Sequence, residues 1–325
     1  MKLPRRQFLH LAAGTIALPA ASRIAWAQTY PMRPVRVIVP FGPGGGTDIV
    51  ARLIGQWLSE RLGQQFIIEN RPGAGGNLGT EVVVRAPPDG YTLALIGAPS
   101  AINATLYDKL NFNFIRDIAP VAIIVRFPNI MVVNPSVSAR TVPEFIAYAK
   151  ANPGKLNMSS PGNGSTPHVA GELFKMMTGI NMVHVPYRSV AAGLTDMLSG
   201  QVQVTFGTAA STIEYIRAGT LRALAVTTAM RSETLPDLPT VAEFLPGYEA
   251  SAWFGVGAPR STPAEIVDKL NSEINASLAD PKLQARIAEL GGIALTGSPA
   301  EFGKLIAAET EKWAKVVKFS GIKAD

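Results

Sequence analysis

Residues 35–47, VRVIVPFGPGGGT, decide the fold class of this chain. The run Val35–Val39 is typical of a buried strand, Pro40 ends it, and a glycine-rich turn follows. Apolar residues then recur at helical spacing, with Thr47 as the predicted N-cap and Gly63 as the predicted end of the helix. Strand, glycine turn and helix together predict the first unit of an α/β structure.

The same alternation continues along the chain and favours α/β layers with largely parallel strands. Helices are predicted at 142–150, opened by the capping box 141–144, and near 191–198 and 212–218. Further strands are predicted at 66–69, 91–96, 121–125, 129–133, 156–160, 183–185, 202–206, 224–227 and 251–256.

Two long helices follow the last predicted strand, and each opens with a capping box, TPAE at 262–265 and SPAE at 298–301. No further strands remain for these helices to cover. We therefore expect them to pack against the strands that begin the chain, which makes the first lobe discontinuous in sequence.

The predicted domain organisation is a two-lobed molecule. Lobe 1 comprises residues 28–126 plus 250–325, and lobe 2 comprises residues 127–249. The chain crosses between the lobes near Arg126 and again near Ala250. Two such hinge crossovers predict a ligand cleft between the lobes.

The N-terminus predicts export. Lys2, Arg5 and Arg6 precede an apolar run at 8–21, and the small residues of 25–27 offer a cleavage site. The start also matches a twin-arginine signal. A membrane anchor is the alternative, but the apolar run contains glycine and proline and is shorter than the roughly 20 residues that span a bilayer. Residues 1–27 are therefore predicted to be a signal peptide, cleaved near Ala27 in the periplasm.

Composition excludes several classes of function. The chain of 325 residues has no cysteine, which excludes disulfides, thiolate metal sites and a catalytic thiol. Its formal charge is +6, but residues 1–27 hold four basic residues and no acid, so the remainder is nearly neutral. No basic run suggests binding to nucleic acid. We predict no cofactor and no metal.

Two glycine-rich loops occupy equivalent positions, each between a strand and a helix: residues 40–47 and residues 160–166. Glycine lets a ligand approach the backbone, and the free N–H groups at a helix start bind an anion without a formal positive charge. The alternative is that the glycines only form tight turns. Their equivalent placement favours a shared carboxylate site, holding one carboxylate or the two ends of a dicarboxylate.

Other types of site do not fit the sequence. Neither loop has the lysine of a Walker motif, residues 42–47 lack the last glycine of a dinucleotide fingerprint, and no G-x-S-x-G elbow exists. His168 fits a ligand contact and a packing role equally well, whereas His184 alternates with valines like a structural strand residue. Asp48 fits a capping role better than a ligand contact. No catalytic constellation emerges, so the chain is not expected to be an enzyme.

The chain resembles the tripartite tricarboxylate transporter receptors, or Bug proteins. The resemblance lies in PMRPVRVIVPFGPGGGTDIVAR at 31–52, ENRPGAGGN at 69–77, PDGYTL at 88–93, AIN at 101–103 and VPY at 185–187. It continues through LPDLPTV at 235–241 and WFG at 253–255, so that it covers essentially all of the chain after the signal.

The resemblance implies a type II-like periplasmic binding protein fold that shuts on a small organic acid and delivers it to inner-membrane permease subunits. The acid is a mono-, di- or tricarboxylate, an amino acid or an aromatic acid. The protein is expected to be a monomer. The alternative functions are an exported enzyme and a receptor that serves a sensor instead of a transporter. The implied ligand contacts are Phe41, Gly45, Gly46, Thr47, Asp48, Ser100, Gly164, Ser165, Thr166, His168 and Tyr187. The family usually has glycines after its Val-Pro-Tyr, where this chain has Arg188-Ser189-Val190, so the ligand of another member does not transfer directly.

Overall fold

The computed structural model describes residues 30–107, 109–232 and 235–324, without the side chains of residues 319 and 320. The residues from Arg33 onward form one compact unit. Of the preceding unit only residues 30–32 are described, and they form neither helix nor strand. The predicted signal peptide, residues 1–27, lies outside the described residues. No helix within the described ranges is long and apolar enough to span a membrane.

The described ranges alternate strands with helices, as the sequence predicts. The strands are β1 Val35–Val39, β2 Phe66–Asn70, β3 Thr92–Gly97, β4 Ile118–Val133, β5 Asn157–Ser160, β6 Val183–Pro186, β7 Val204–Thr208, β8 Arg222–Val226, β9 Ser251–Pro259 and β10 Ile293–Ala294. The helices are α1 Gly46–Leu62, α2 Asn77–Val84, α3 Ala98–Leu106, α4 Phe114–Asp117, α5 Val142–Ala151, α6 Thr166–Thr178, α7 Val190–Leu198, α8 Ala209–Arg217, α9 Ala264–Leu278, α10 Pro281–Glu289 and α11 Pro299–Ser320.

The strands follow the order β2-β1-β3-β9-β4-β7-β5-β6, with β8 and β10 also paired to β4. The outer groups, β1 to β3 and β5 to β7, pair in parallel. The central strands β9 and β4 pair antiparallel with their neighbours. The predicted parallel character therefore holds for the outer groups only.

One long strand, β4, joins the two groups. Its first part pairs with β9 as far as Pro128, and from Asn129 it pairs with β7 and β8. The prediction of two separate strands at 121–125 and 129–133 is wrong. Pro128 looks like a strand breaker in the sequence, but it lies where β4 changes partner, so its missing N–H does not interrupt either ladder.

The chain returns to the first group directly beside this point. The Ala250 N–H donates to the Thr227 carbonyl at 2.9 Å, and the Thr227 N–H donates to the Asn129 carbonyl at 2.9 Å. The Thr227 hydroxyl bonds both the Asn129 and the Ala250 carbonyls. The two segments that connect the groups therefore run side by side, which is the arrangement of a two-crossover hinge.

Helix starts follow the predictions in part. The capping box at Ser298 is confirmed, because its hydroxyl accepts from the Glu301 N–H and the Glu301 carboxylate accepts from the Ser298 N–H. The box predicted at 262–265 is wrong, since the Thr262 hydroxyl donates back to the Pro259 carbonyl and Pro263 is the N-cap. Thr47 is not an N-cap either: the N-cap of helix α1 is Gly45, two residues earlier.

The C-terminal region contains three helices where two were predicted. The additional helix α10 is capped by Asp280, whose carboxylate accepts from the N–H groups of Lys282 and Leu283. Helix α11 packs on α3 and β4, as expected, but it also contacts α6. The indoles of Trp253 and Trp313 both donate to the Glu309 carboxylate, which fixes α11 against β9.

Candidate ligand-binding site

A cleft lies where strands of both groups end and helices begin. It encloses about 700 Å³, including the space open to solvent at its mouth. Five helices direct their N-terminal residues toward it: α1, α3, α6, α7 and α8. The side chains that line it from the described residues are apolar or hydroxylic, and none is charged.

The first glycine loop forms one wall of the cleft through Phe41, Gly45, Gly46 and Thr47. The N-cap of α1 is Gly45, in an extended conformation, which has no side chain to cap the helix. The first N–H groups of a helix have no acceptor within the helix. Those of α1 are therefore available to a ligand, together with the positive end of the helix dipole.

The second glycine loop forms the opposite wall through Ser160, Ser165 and Thr166. Ser165 is the N-cap of α6, but its hydroxyl donates to the Gly162 carbonyl at 2.6 Å and does not cap the helix. The N–H groups of Thr166 and His168 at the start of α6 therefore stay available, whereas Pro167 between them has none. Gly164, at φ +74°, lies behind this wall, where a side chain would collide with Asn103.

The start of α8 forms a third wall that the sequence does not predict. Thr208, Ser211 and Thr212 line the cleft with their hydroxyl-bearing side chains. The Ser211 and Thr212 hydroxyls donate to the Thr208 carbonyl at 2.9 and 3.0 Å. This connection has no glycine-rich loop: β7 ends at Thr208, which is also the N-cap of α8, and the nearest glycine is Gly207 inside the strand. Hydroxyl residues directly after a buried strand were the signal available in the sequence.

Helix α7 adds an apolar wall that was also missed. Val190 and Leu194 line the cleft opposite the first loop, and Phe254 of β9 lies at its base. A Cβ placed on Gly45 would lie 3.2 Å from Val190 Cγ2, and one on Gly42 would lie 3.1 Å from Ser189 Cβ. The two walls therefore lie close together here, and a side chain at either glycine would crowd the facing wall.

Asp48 supports the first loop and does not line the cleft. Its carboxylate is buried and accepts from the Gly44 N–H at 3.1 Å, from Arg52 at 2.9 and 3.0 Å and from Asn70 at 3.0 Å. Burial raises the pKa of this carboxyl, but the hydrogen bonds outweigh burial and the net pKa lies below its ordinary value. Asp48 therefore stays ionised and holds the loop in place.

His168 and His184 lie directly behind the second loop as a stacked pair, with ring centroids 3.7 Å apart. His168 Nδ1 accepts from the Gly164 N–H at 3.2 Å, and His184 Nε2 lies 2.6 Å from the hydroxyl of Ser160. Burial, with the charge of Lys175 nearby, lowers the pKa of His168 to about 3 and that of His184 to about 4. Both rings are therefore neutral at pH 7 and position the loop from behind.

The remaining predicted residues lie beside the cleft. Ser100 is buried in the first turn of α3, next to Pro99, which does line the cleft. Tyr187 lines an adjacent cavity and donates its hydroxyl to Asp196 at 2.7 Å. Burial together with this hydrogen bond raises the pKa of Tyr187 to about 12. Within the described ranges, no group of three or more His, Asp or Glu side chains is arranged to hold a metal ion.

This fold and cleft define a two-lobed solute-binding protein. A family model described as the tripartite tricarboxylate transporter family receptor matches residues 50–322. BugT of Bordetella pertussis strain Tohama I is 36% identical over 318 residues, which cover 97% of this chain and 96% of BugT. The chain belongs to the family of tripartite tricarboxylate transporter receptors.

Two solved structures are similar over nearly their full length. Rpa4515 of R. palustris, solved with adipate, is 40% identical with a TM-score of 0.88, over 90% of this chain and 99% of that one. MatC of Rhodopseudomonas palustris, solved with malate, is 31% identical with a TM-score of 0.85, over 89% and 100% of the two chains. The predicted fold class is confirmed, and the chain is a solute-binding receptor and not an enzyme.

Proposed function

We propose that the protein captures a small carboxylate in the periplasm and delivers it to the membrane subunits of a tripartite tricarboxylate-type transporter. The observation that carries this proposal is the convergence of five helix N-termini on a cleft without charged side chains. The oriented N–H groups at these helix starts stabilise an anion in the cleft without a positively charged side chain. Adipate and malate in the structures of two relatives support a carboxylate as the ligand.

The predicted ligand contacts divide into two groups on this proposal. Phe41, Gly45, Gly46, Thr47, Ser165 and Thr166 line the cleft and contact the ligand. Asp48, Ser100, Gly164, His168 and Tyr187 act from behind or beside it by holding the loops. The proposed contacts also include Thr208, Ser211 and Thr212 at the start of α8.

Capture requires that the lobes separate and close. We assign residues 28–126 plus 250–325 to lobe 1 and residues 127–249 to lobe 2, with the hinge where Asn129, Thr227 and Ala250 lie side by side. A ligand favours the closed form only to the extent that it binds that form more tightly. The protein acts as a monomer on this proposal, with the signal cleaved near Ala27.

A thermal-shift screen of residues 28–325 tests this function. The panel contains mono-, di- and tricarboxylates, amino acids and aromatic acids, with a nucleotide and a sugar for comparison. At least one carboxylate is expected to raise the Tm, because a ligand that binds only the folded state stabilises it by mass action. A Tm increase with the nucleotide or the sugar and with no carboxylate would overturn the proposal.

A further inference from the structure

A second cavity adjoins the cleft. It is lined by Phe41 and Pro161, which also line the cleft, by the glycine-rich segment 72–76, and by residues 186–188. Phe41 and Pro161 therefore form the boundary between the two spaces.

Arg188 gives the second cavity its charge. Among the described residues that line either space, it is the one with a charged side chain. Most arginines that the structure describes are bound to a carboxylate, as Arg36 is to Glu69 and Arg231 is to Glu243. The described residues place no acidic partner within ion-pair distance of the Arg188 guanidinium. It is exposed and available to an anion that enters with the ligand.

The other polar side chain in this cavity is already engaged, because the Tyr187 hydroxyl donates to Asp196. No acidic residue lines either space within the described ranges, so neither space offers a carboxylate to the ammonium group of an amino acid. The charge arrangement is that of two separated sites for anions. One consists of helix N-termini without charged side chains, and the other is a single guanidinium.

We infer that the ligand is an elongated dicarboxylate whose second carboxylate reaches Arg188 in the second cavity. The inference rests on the proposed function, because the first carboxylate must lie at the helix N-termini. A guanidinium fits a carboxylate with two parallel N–H···O bonds, which makes the second site selective for charge and for ligand length. Ligands with one carboxylate and an apolar tail bind only the first site.

Calorimetric titration of residues 28–325 with straight-chain dicarboxylates of four to eight carbons tests this inference. Each is compared with the monocarboxylate of equal length. The wild type should bind its best dicarboxylate roughly tenfold more tightly than the matched monocarboxylate, as expected for one charge-assisted bidentate contact. Arg188→Gln should remove that preference and leave the affinity for the monocarboxylate unchanged.

Arg140→Gln is the matched control, since Arg140 is exposed, lines neither cavity, and its change alters the net charge equally. Arg140→Gln should preserve the preference for the dicarboxylate over the monocarboxylate.

The dicarboxylate affinity of the wild type should also fall more steeply with salt than that of Arg188→Gln. Equal binding of mono- and dicarboxylates by the wild type, or an equal loss of both in Arg188→Gln, would overturn the inference and leave the proposed function standing. Failure of every carboxylate to bind would instead reject the proposed function.

Discussion

At the scale of single residues, the histidine pair explains how the second loop is held. The Gly164 N–H and the Ser160 hydroxyl both contact an imidazole of the pair, and the rings stack face to face. The sequence alone is equally compatible with two roles for His168, a contact with the ligand and packing in the core. Its position behind the loop follows from the pairing of β5 with β6, which brings His184 beside Met158 and its ring against α6.

The pair predicts how stability depends on pH. The pKa values of His168 and His184 are lowered to about 3 and 4, so between pH 7 and pH 5 the unfolded chain binds more protons than the folded one. Stability must then rise with pH across this window, by roughly 1–2 kcal/mol for each histidine. Denaturant unfolding at pH 5, 6 and 7 measures this directly, because residues 28–325 contain no other histidine.

His184→Gln provides the comparison, since glutamine keeps a polar group near Ser160 and does not titrate. Its stability should change less between pH 5 and pH 7 than that of the wild type. A wild-type stability that stays level over this range would contradict the burial of neutral imidazoles.

Asp48 predicts a second effect at this scale. Asp48→Asn keeps the shape of the side chain but removes the negative charge to which Gly44, Arg52 and Asn70 donate hydrogen bonds. The free energy of unfolding should fall by about 1–3 kcal/mol, the cost of weakening a buried charged network. Glu81→Gln, in the more exposed i,i+4 pair with Arg85, should change it much less, because exposed ion pairs contribute little to stability. Equal effects in urea unfolding would mean that the Asp48 network does not hold the loop.

At the scale of elements, the first loop and helix α7 meet across the cleft. Gly45 has an ordinary extended backbone, so Gly45→Ala adds no backbone strain, but its Cβ would crowd Val190 at 3.2 Å and narrow the cleft. Carboxylate affinity should fall at least tenfold while the Tm changes little. Calorimetric titration gives the first quantity and thermal unfolding the second.

Gly303→Ala is the control for this change. Gly303 lies in α11, and the nearest atom to an added Cβ is Pro120 Cγ at 3.4 Å. Replacing a glycine inside a helix raises stability by roughly 0.5–1 kcal/mol and should leave affinity unchanged. If Gly45→Ala binds as tightly as Gly303→Ala, the first loop is only a turn.

The sequence predicts these elements well where local chemistry decides them. The run at 35–39, the glycine end of α1 at Gly63 and the box at Ser298 depend on neighbours in sequence, and all three appear in the structure. The continuity of β4 through Pro128 depends on a change of strand partner, which no local pattern reveals.

The same distinction applies to the site. Both glycine loops were predicted because glycine marks a close backbone approach. The walls from α7 and α8 were missed because Val190 and Thr208 are ordinary residues until the fold brings their helix starts to the same cleft. Pairing between distant strands, not local sequence, places them there.

At the scale of the whole molecule, the proposed function predicts that closure of the two lobes accompanies binding. The walls lie close together at Gly42 and Gly45, so we expect the proposed hinge beside Asn129 to open before a ligand enters. Small-angle scattering of residues 28–325 should give a smaller radius of gyration with a bound carboxylate than without it. An identical radius at saturation would contradict a closure that depends on ligand.

The central hypothesis is that a carboxylate is held at helix N-termini in this cleft. Calorimetric titration of residues 28–325 with a carboxylate identified by the thermal-shift screen, and with its neutral amide, tests the claim most directly. The two molecules have nearly the same shape, but only the acid carries the charge that the helix starts stabilise. We predict one-to-one binding of the acid and no measurable binding of the amide. Equal affinity for both would contradict the claim.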